Sequence, residues 1–274
     1  MIPNVLSVAG SDPSGGAGLQ ADLKTFSALG AYGMAVVTAV VAQTTTGVTA
    51  CEAVSPGLVT SQVDTLLADV RVDAVKVGML ANEAIVGAVT AALDRWRPPY
   101  VVADPVMVAQ SGDRLLDAGA VAALRDVLLP RADLITPNLP EAAALLGCPV
   151  AGDVSEMRSQ ASELLALGCR WVLLKGGHLP GARSVDVLVG PGGPAELSAP
   201  RVATASDHGT GCTLSSAIAA LRPRQPAGPE GWLAAVMQAK EYLTGALGAA
   251  GQLDVGHGHG PVHHFWAVWG PEHI

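Results

Sequence analysis

Short runs rich in valine and other aliphatic residues recur along the chain at Val5–Ala9, Ala35–Ala42, Ala74–Val77, Tyr100–Ala103, Leu134–Thr136 and Trp171–Lys175. Between them lie stretches with helical periodicity. Leu19–Leu29 puts Leu19, Leu23, Phe26 and Leu29 on one stripe and is followed by Gly30, a helix-ending residue. Leu58–Val70, Glu83–Trp96, Ala120–Leu129 and Ser155–Leu167 share that period. Strand and helix signals in alternation predict an α/β fold with a mainly parallel sheet, helices on both faces and right-handed crossovers. At 274 residues the chain suits one domain, 1–274, since Pro223–Pro229 is too short to separate two and reads as a joint between helices.

The formal charge of −8 and a pI near 5.3 argue against a nucleic-acid partner, which requires clustered Lys and Arg. The N-terminus has no basic leader, and no apolar run approaches the roughly 18 residues needed to span a bilayer. The expectation is no membrane and a cytoplasmic location. Cys51, Cys148, Cys169 and Cys212 are widely spaced and form no CxxC pair, which fits neither a disulfide scaffold nor a zinc site.

In open α/β sheets ligands bind beyond the carboxyl ends of the strands. Those ends here are Gly10-Ser11-Asp12, Gln43, Gly78-Met79, Asp104-Pro105, Pro137-Asn138 and Gly176-Gly177. The loop Gly10–Gly18 lies between strand and helix, where backbone can approach an anionic or planar ligand; a tight turn without a ligand is the other reading. It lacks the acidic residue that a dinucleotide site places about 20 positions on, and no Lys-Ser/Thr follows its glycines as a Walker loop requires. A second loop, His208-Gly209-Thr210-Gly211-Cys212-Thr213, opens a small-residue helical run. Its glycines clear space while the helix start offers free N–H groups, so it reads as a backbone anion hole. Cys212 there is either packing or chemistry. His257, His259, His263 and His264 read as a metal tract or, preferably, as part of a glycine-hinged tail packed near the site.

The segments GSDPSGGAGLQAD (Gly10–Asp22), TPNLPE (Thr136–Glu141), LKGG (Leu174–Gly177) and HGTGCT (His208–Thr213), with the VGHG and GPVH tail, resemble in order and spacing the ribokinase superfamily. More narrowly they resemble its hydroxymethylpyrimidine/phosphomethylpyrimidine kinase branch. The resemblance implies a three-layer αβα sandwich, usually a homodimer, that uses ATP and Mg²⁺ to phosphorylate hydroxymethylpyrimidine and then its monophosphate. It implies Gln43 for pyrimidine recognition, Met79 and Val106 against the ring, and Gly10 and Ala17 in the substrate loop. It assigns Lys175, Thr210 and Asn138 to the nucleotide phosphates, Glu141 to the metal region, and Gly209 and Gly211 to the anion hole. Asp104, at a strand end before Pro105, reads either as an organiser of phosphate or metal or as a cap. Cys212 stands where most of the superfamily has Asp and is expected to act as general base or hydroxyl-orienting thiol, its thiolate favoured by the helix N-terminus. Asp22, expected at the start of the first helix, is the second candidate for proton handling, with a solvated surface acid as the plain reading. Asp207 stands where close relatives carry Thr. Rival readings are a pyridoxal/pyridoxine kinase on the same fold and a non-catalytic pyrimidine-binding sensor.

Overall fold

Strand β1 (Asn4–Gly10) sends Val5 to one side of the sheet and Leu6 and Val8 to the other, and each side is buried. The same alternation runs through β5 (Val101–Ala103), β6 (Leu134–Ile135) and β7 (Trp171–Leu174), where Trp171 and Leu173 face one core and Val172 and Leu174 the other. A sheet apolar on both faces needs a layer of helices on each. The protein, a computed structural model describing residues 1–108 and 118–269, supplies them. Helices α2 (Pro56–Asp69), α3 (Glu83–Trp96), α4 (Ala118–Ala123), α5 (Leu139–Leu146) and α6 (Val154–Leu165) cover one face. Helices α1 (Gly18–Ala28), α7 (Thr210–Leu221) and α8 (Pro229–Gly248) cover the other. Among the described residues no helix is long and apolar enough to cross a membrane.

Together with β2 (Tyr32–Thr44), β3 (Gly47–Ala53), β4 (Ala74–Val77), β8 (Arg183–Val189) and β9 (Ala195–Pro200), these strands form one nine-stranded sheet of order β3-β2-β1-β4-β5-β6-β7-β8-β9. Pairings from β2 through β7 are parallel, while β3 and the β8–β9 hairpin are antiparallel additions at the edges. The edge strands are absent from the sequence-based expectation. β3 is mostly exposed, and β8 opens with Arg183 and Ser184, so neither carries the apolar run of a central strand. The Pro223–Pro229 stretch joins α7 to α8 as expected. Beside it Arg222 is buried with its guanidinium 4.2 Å from the Tyr100 ring centre and 4.9 Å from that of Trp232.

One polar node crosses this apolar interior. Lys76 of β4 and Asp22 of α1 are both fully buried, with Nζ at 2.9 and 2.8 Å from the two carboxylate oxygens. Ser216 of α7 donates to Oδ1 at 2.6 Å and Ser7 of β1 donates to Oδ2 at 2.5 Å. Burial opposes the charge on Lys76, but Asp22, Cys212 and Asp104 hold its pKa above the ordinary lysine value. Asp22 is therefore neither at the helix start nor at the surface. It lies in the second turn of α1, outside the cleft lining, with both oxygens engaged, and this corrects its expected place at the helix start and the surface.

Breaking a buried pair from one side leaves an uncompensated charge and costs about 3–5 kcal/mol. Asp22→Ala should lower unfolding stability by that amount in urea titration, and adding Lys76→Met should return most of it. A single variant within about 1 kcal/mol of the parent, the scale of an exposed pair, would show that the node does not hold the layers together.

Candidate active site

Beyond the carboxyl ends of the parallel strands opens a cleft of about 1020 Å³, lined by all the expected site residues except Asp22. Pockets for one drug-sized ligand span about 300–1,000 Å³, so this cleft stands at the top of that range, and its two ends differ in chemistry.

One end is the apolar seat. Val41, Met79 and Val106 wall it, and Gly10 makes room for Met79, whose Cε would lie 2.7 Å from a Cβ at that position. Thr38 Oγ1 donates to the Met79 carbonyl at 2.6 Å and fixes that chain segment. The β2–β3 register shifts between Ala42 and Gln43, a bulge that re-aims the strand end. Gln43 lies half-buried in the lining. Among the described residues no hydrogen bond occupies its carboxamide, which leaves both a donor and an acceptor for a ligand edge.

The loop between β1 and α1 closes this seat from one side and is built on Asp12. That buried carboxylate accepts from Ser14 N–H at 2.9 Å, Ser14 Oγ at 2.7 Å and Ala17 N–H at 2.7 Å, and His208 Nε2 lies 2.8 Å away. Burial alone would raise its pKa; the bonds from His208, Ser14 and Ala17 bring it down to about 2.

At the other end Gly209 caps α7 with φ of +80°, and a Cβ there would fall 1.8 Å from the Gly16 carbonyl oxygen. Only glycine permits this junction. The first turn of α7, from Thr210 to Cys212, lines the cleft; the Thr210 N–H is 3.4 Å from the Asp207 carbonyl, while those of Gly211 and Cys212 have no helical partner. Gly211 keeps the passage open towards Lys175, since a Cβ there would lie 3.2 Å from Nζ and 3.5 Å from Asp104 Oδ2.

Lys175, at the end of β7, sits 2.9 Å from Asp104 Oδ1 and 4.0 Å from Glu141 Oε2. Burial works against its charge, yet the two carboxylates hold its pKa above the usual lysine value. Asp104 accepts from Thr136 and Ser215, each at 3.2 Å, so it is a partner of Lys175 rather than a helix cap. Asn138 and Glu141 form the capping box of α5: Glu141 N–H donates to Asn138 Oδ1 at 2.8 Å and Asn138 N–H to Glu141 Oε2 at 2.7 Å. Burial pushes Glu141 up to about 7; Lys175 pulls it down and Asp104 adds to the rise.

Cys212 lies between the two ends, half-buried, with the backbone of Gly18 beside its sulfur. Burial raises its pKa to about 11, Lys76 opposes the rise, and Asp22 and Asp104 reinforce it. Whatever the helix start offers a thiolate, burial with Asp22 and Asp104 keeps the resting thiol protonated, in line with the expectation that no free thiolate is needed.

Several residues of the site carry no local sequence signal. Lys240 of α8 pairs with Asp186 of β8 at 2.5 Å, and the second oxygen of Asp186 accepts the Gly176 N–H at 2.9 Å, which fixes the turn after Lys175. Asp12 and His208 lie 196 positions apart in the chain. The tail histidines are spread over separate partners. His259 Nδ1 meets Asp207 at 2.8 Å, and its N–H bonds the Thr45 carbonyl at 3.0 Å. His264 is buried 3.1 Å from Thr213 Oγ1, and burial, with Lys24 and His263 nearby, takes its pKa down to about 3. The tail thus packs across both ends of the cleft, and Asp207 has a role in holding it.

Sheet order, anion hole and paired seats define a ribokinase-type small-molecule kinase. The family model described as phosphomethylpyrimidine kinase matches residues 12–263. The hydroxymethylpyrimidine/phosphomethylpyrimidine kinase of Escherichia coli (strain K12) is 55% identical over 266 residues, covering 97% of this chain and 98% of that protein. Its counterpart in Rhizobium meliloti (strain 1021) is 51% identical over 270 residues, covering 98% and 99%. Among solved structures, the Staphylococcus aureus pyridoxal kinase in complex with AMP-PCP and pyridoxal superposes with a TM-score of 0.88 at 31% identity, over 98% of this chain and 95% of that one. The chain belongs to the phosphomethylpyrimidine kinase family.

A thiol with a pKa of about 11 is alkylated only through its scarce thiolate. Iodoacetamide labelling of Cys212, followed by peptide mass spectrometry, should therefore accelerate about tenfold per pH unit from pH 7 to 10. A plateau near pH 7 would show an activated thiolate instead.

Proposed function

We propose that the protein transfers the γ-phosphoryl group of ATP to 4-amino-5-hydroxymethyl-2-methylpyrimidine and then to its monophosphate, in thiamine biosynthesis. The observation that carries this reading is the placement of Cys212 between two seats of one cleft: an apolar seat ending in the free Gln43 carboxamide and an anion hole backed by Lys175. The names of the near full-length relatives and the nucleotide and ring-bearing ligand of the pyridoxal kinase complex agree with it.

The carboxamide of Gln43 pairs with the aminopyrimidine edge while Met79 and Val106 hold the ring. The amides of Gly209–Cys212 and the ammonium of Lys175 take up charge on the transferred group, so catalysis rests on positioning and electrostatics. The neutral Cys212 thiol orients the substrate oxygen. In a largely dissociative transfer the alcohol proton leaves late, and a resting base is not required. Asp104 and Glu141 fit Mg²⁺, which takes hard oxygen ligands and is commonly bound through one or two carboxylates together with substrate phosphates and water. One Glu141 oxygen is committed to the Asn138 N–H, and the elevated pKa of this carboxyl marks a place where added positive charge favours ionisation. Bound there, the metal supplies neutralisation of the nucleotide phosphates. The same reading takes the chain as a homodimer, with the exposed edge strand β3 and Val40 of β2 offered to the second copy.

ADP release measured with hydroxymethylpyrimidine, its monophosphate and pyridoxal as acceptors tests the assignment. The pyrimidine and its monophosphate should give the highest kcat/KM. Tight pyrimidine binding without turnover would make the protein a sensor. Gln43→Leu should lower kcat/KM for the pyrimidine by about 5- to 150-fold, the equivalent of about 1–3 kcal/mol, and leave ATP affinity in place. Cys212→Ser, which keeps a neutral hydroxyl donor, should hold kcat within about tenfold, whereas loss of a general base costs about 10²–10⁴.

A further inference from the structure

The two glycine-rich loops of the cleft meet at His208 and Asp12. His208 directly precedes the anion hole, and its ring stands over Gly16, where a Cβ would come within 2.3 Å of Cδ2. Its Nε2 is 2.8 Å from Asp12 Oδ2, the oxygen that also accepts the Ala17 N–H at 2.7 Å. An ionised carboxylate only accepts, so Nε2 of His208 carries the proton. Directly after it, Gly209 touches the Gly16 carbonyl. Beyond Ala17, the backbone of Gly18 lies beside the sulfur of Cys212. The contact is internal: both side chains are buried, and the carboxylate also receives the two Ser14 donors.

We infer that His208 and Asp12 are positioning residues which lock the loop Gly10–Gly18 against the start of α7, and so set the distance between the substrate seat and the phosphate seat. Neither residue is assigned to touch the transferred group. The pair ties one loop that closes over the acceptor to another whose amides hold the phosphate, a link that neither loop provides alone. Its kinetic consequence rests on the kinase reading above; its structural consequence does not. A misplacement of about 1 Å between reacting groups costs on the order of 10² in rate.

His208→Gln keeps an N–H donor, while His208→Phe keeps the ring over Gly16 and removes the donor. With the fold checked by circular dichroism, Phe should lower kcat about 10²-fold with ADP affinity within about threefold, and Gln should recover to within about tenfold of the parent. Asp12→Asn places an amide against Ala17 N–H or His208 and should match the Phe variant. Their combination should be no more than about threefold worse than either, as for residues acting through one contact. Independently of any substrate, Phe and Asn variants should expose Cys212 to iodoacetamide about tenfold faster at pH 8, because the released loop no longer covers its sulfur. Alkylation at the parental rate in both variants overturns the lock, whatever the kinetics. Equal or better turnover in Phe than in Gln overturns the hydrogen bond as its cause. An inactive parent whose variants still show faster alkylation overturns the kinase reading and leaves the lock standing. Should the Phe variant fail to fold, Asp12→Asn with the alkylation readout decides alone.

Discussion

Lys76 and Asp22 form a charge pair inside an otherwise apolar sheet–helix interface, and the shape of the cleft depends on it. The pair joins the central strands β1 and β4 to α1 and α7, through Ser7 on one side and Ser216 on the other. Two ions removed from water gain little net stability over a well-packed apolar pair, but their arrangement is costly to break from one side, since that strands a buried charge. That arrangement fixes α7 relative to α1, and the two glycine-rich loops precede those helices. The node therefore controls, from below, how closely the loops meet above it.

Its field also reaches the site. Within the node Lys76 draws the Cys212 thiol down in pKa while Asp22 pushes it up, and Asp104 outside the node adds to the rise. Farther along the strand ends Asp104, Lys175 and Glu141 repeat the alternation of signs. Glu141 is the least stabilised of these charges: burial and Asp104 lift its carboxyl to about 7 against the pull of Lys175. The cleft is electrostatically unfinished at the side where phosphate-bound cations would arrive, and finished at the side where the ring sits.

How much of this was legible in the sequence depends on range. The central strands, the helices between them and both glycine-rich loops were legible because their signals are local: aliphatic runs, helical period, and glycines at strand-to-helix junctions. The resemblance pointed to Gln43, Lys175, Asn138 and Glu141, and all four line the cleft. Strands β3 and β9 were missed because edge strands carry polar, exposed residues, and β8, though paired on both sides, opens with Arg183 and Ser184 and is interrupted by Asp186. Asp22 was misplaced for a different reason. An acid near a helix start is ordinarily solvated, and only the arrival of Lys76, 54 positions away, makes its burial tolerable. Asp12 with His208 and Asp186 with Lys240 are equally long-range pairs, invisible to any window of sequence. The height of the Cys212 pKa follows first from burial and then from carboxylates at positions 22 and 104, neither of which the chain order places around it.

A neutral thiol also bears on how one cleft can serve two acceptors. On the proposed reaction the first acceptor is an alcohol and the second a phosphate monoester, whose attacking oxygen is already anionic near neutral pH, with a second pKa of about 6. A site built around a strong general base would gain nothing in the second step and would repel its substrate if the base were a thiolate. A site built on donors avoids that conflict: the α7 amides and Lys175 favour negative charge wherever it accumulates, and a protonated Cys212 adds a weak donor rather than a further anion. The distance between the seats then becomes the critical variable, because acceptors of different length must each bring an oxygen in line with the nucleotide. Glycines at both loop junctions allow the close approach that this requires, and a contact that holds the loops together at a set spacing matters more to such a site than the basicity of any one side chain.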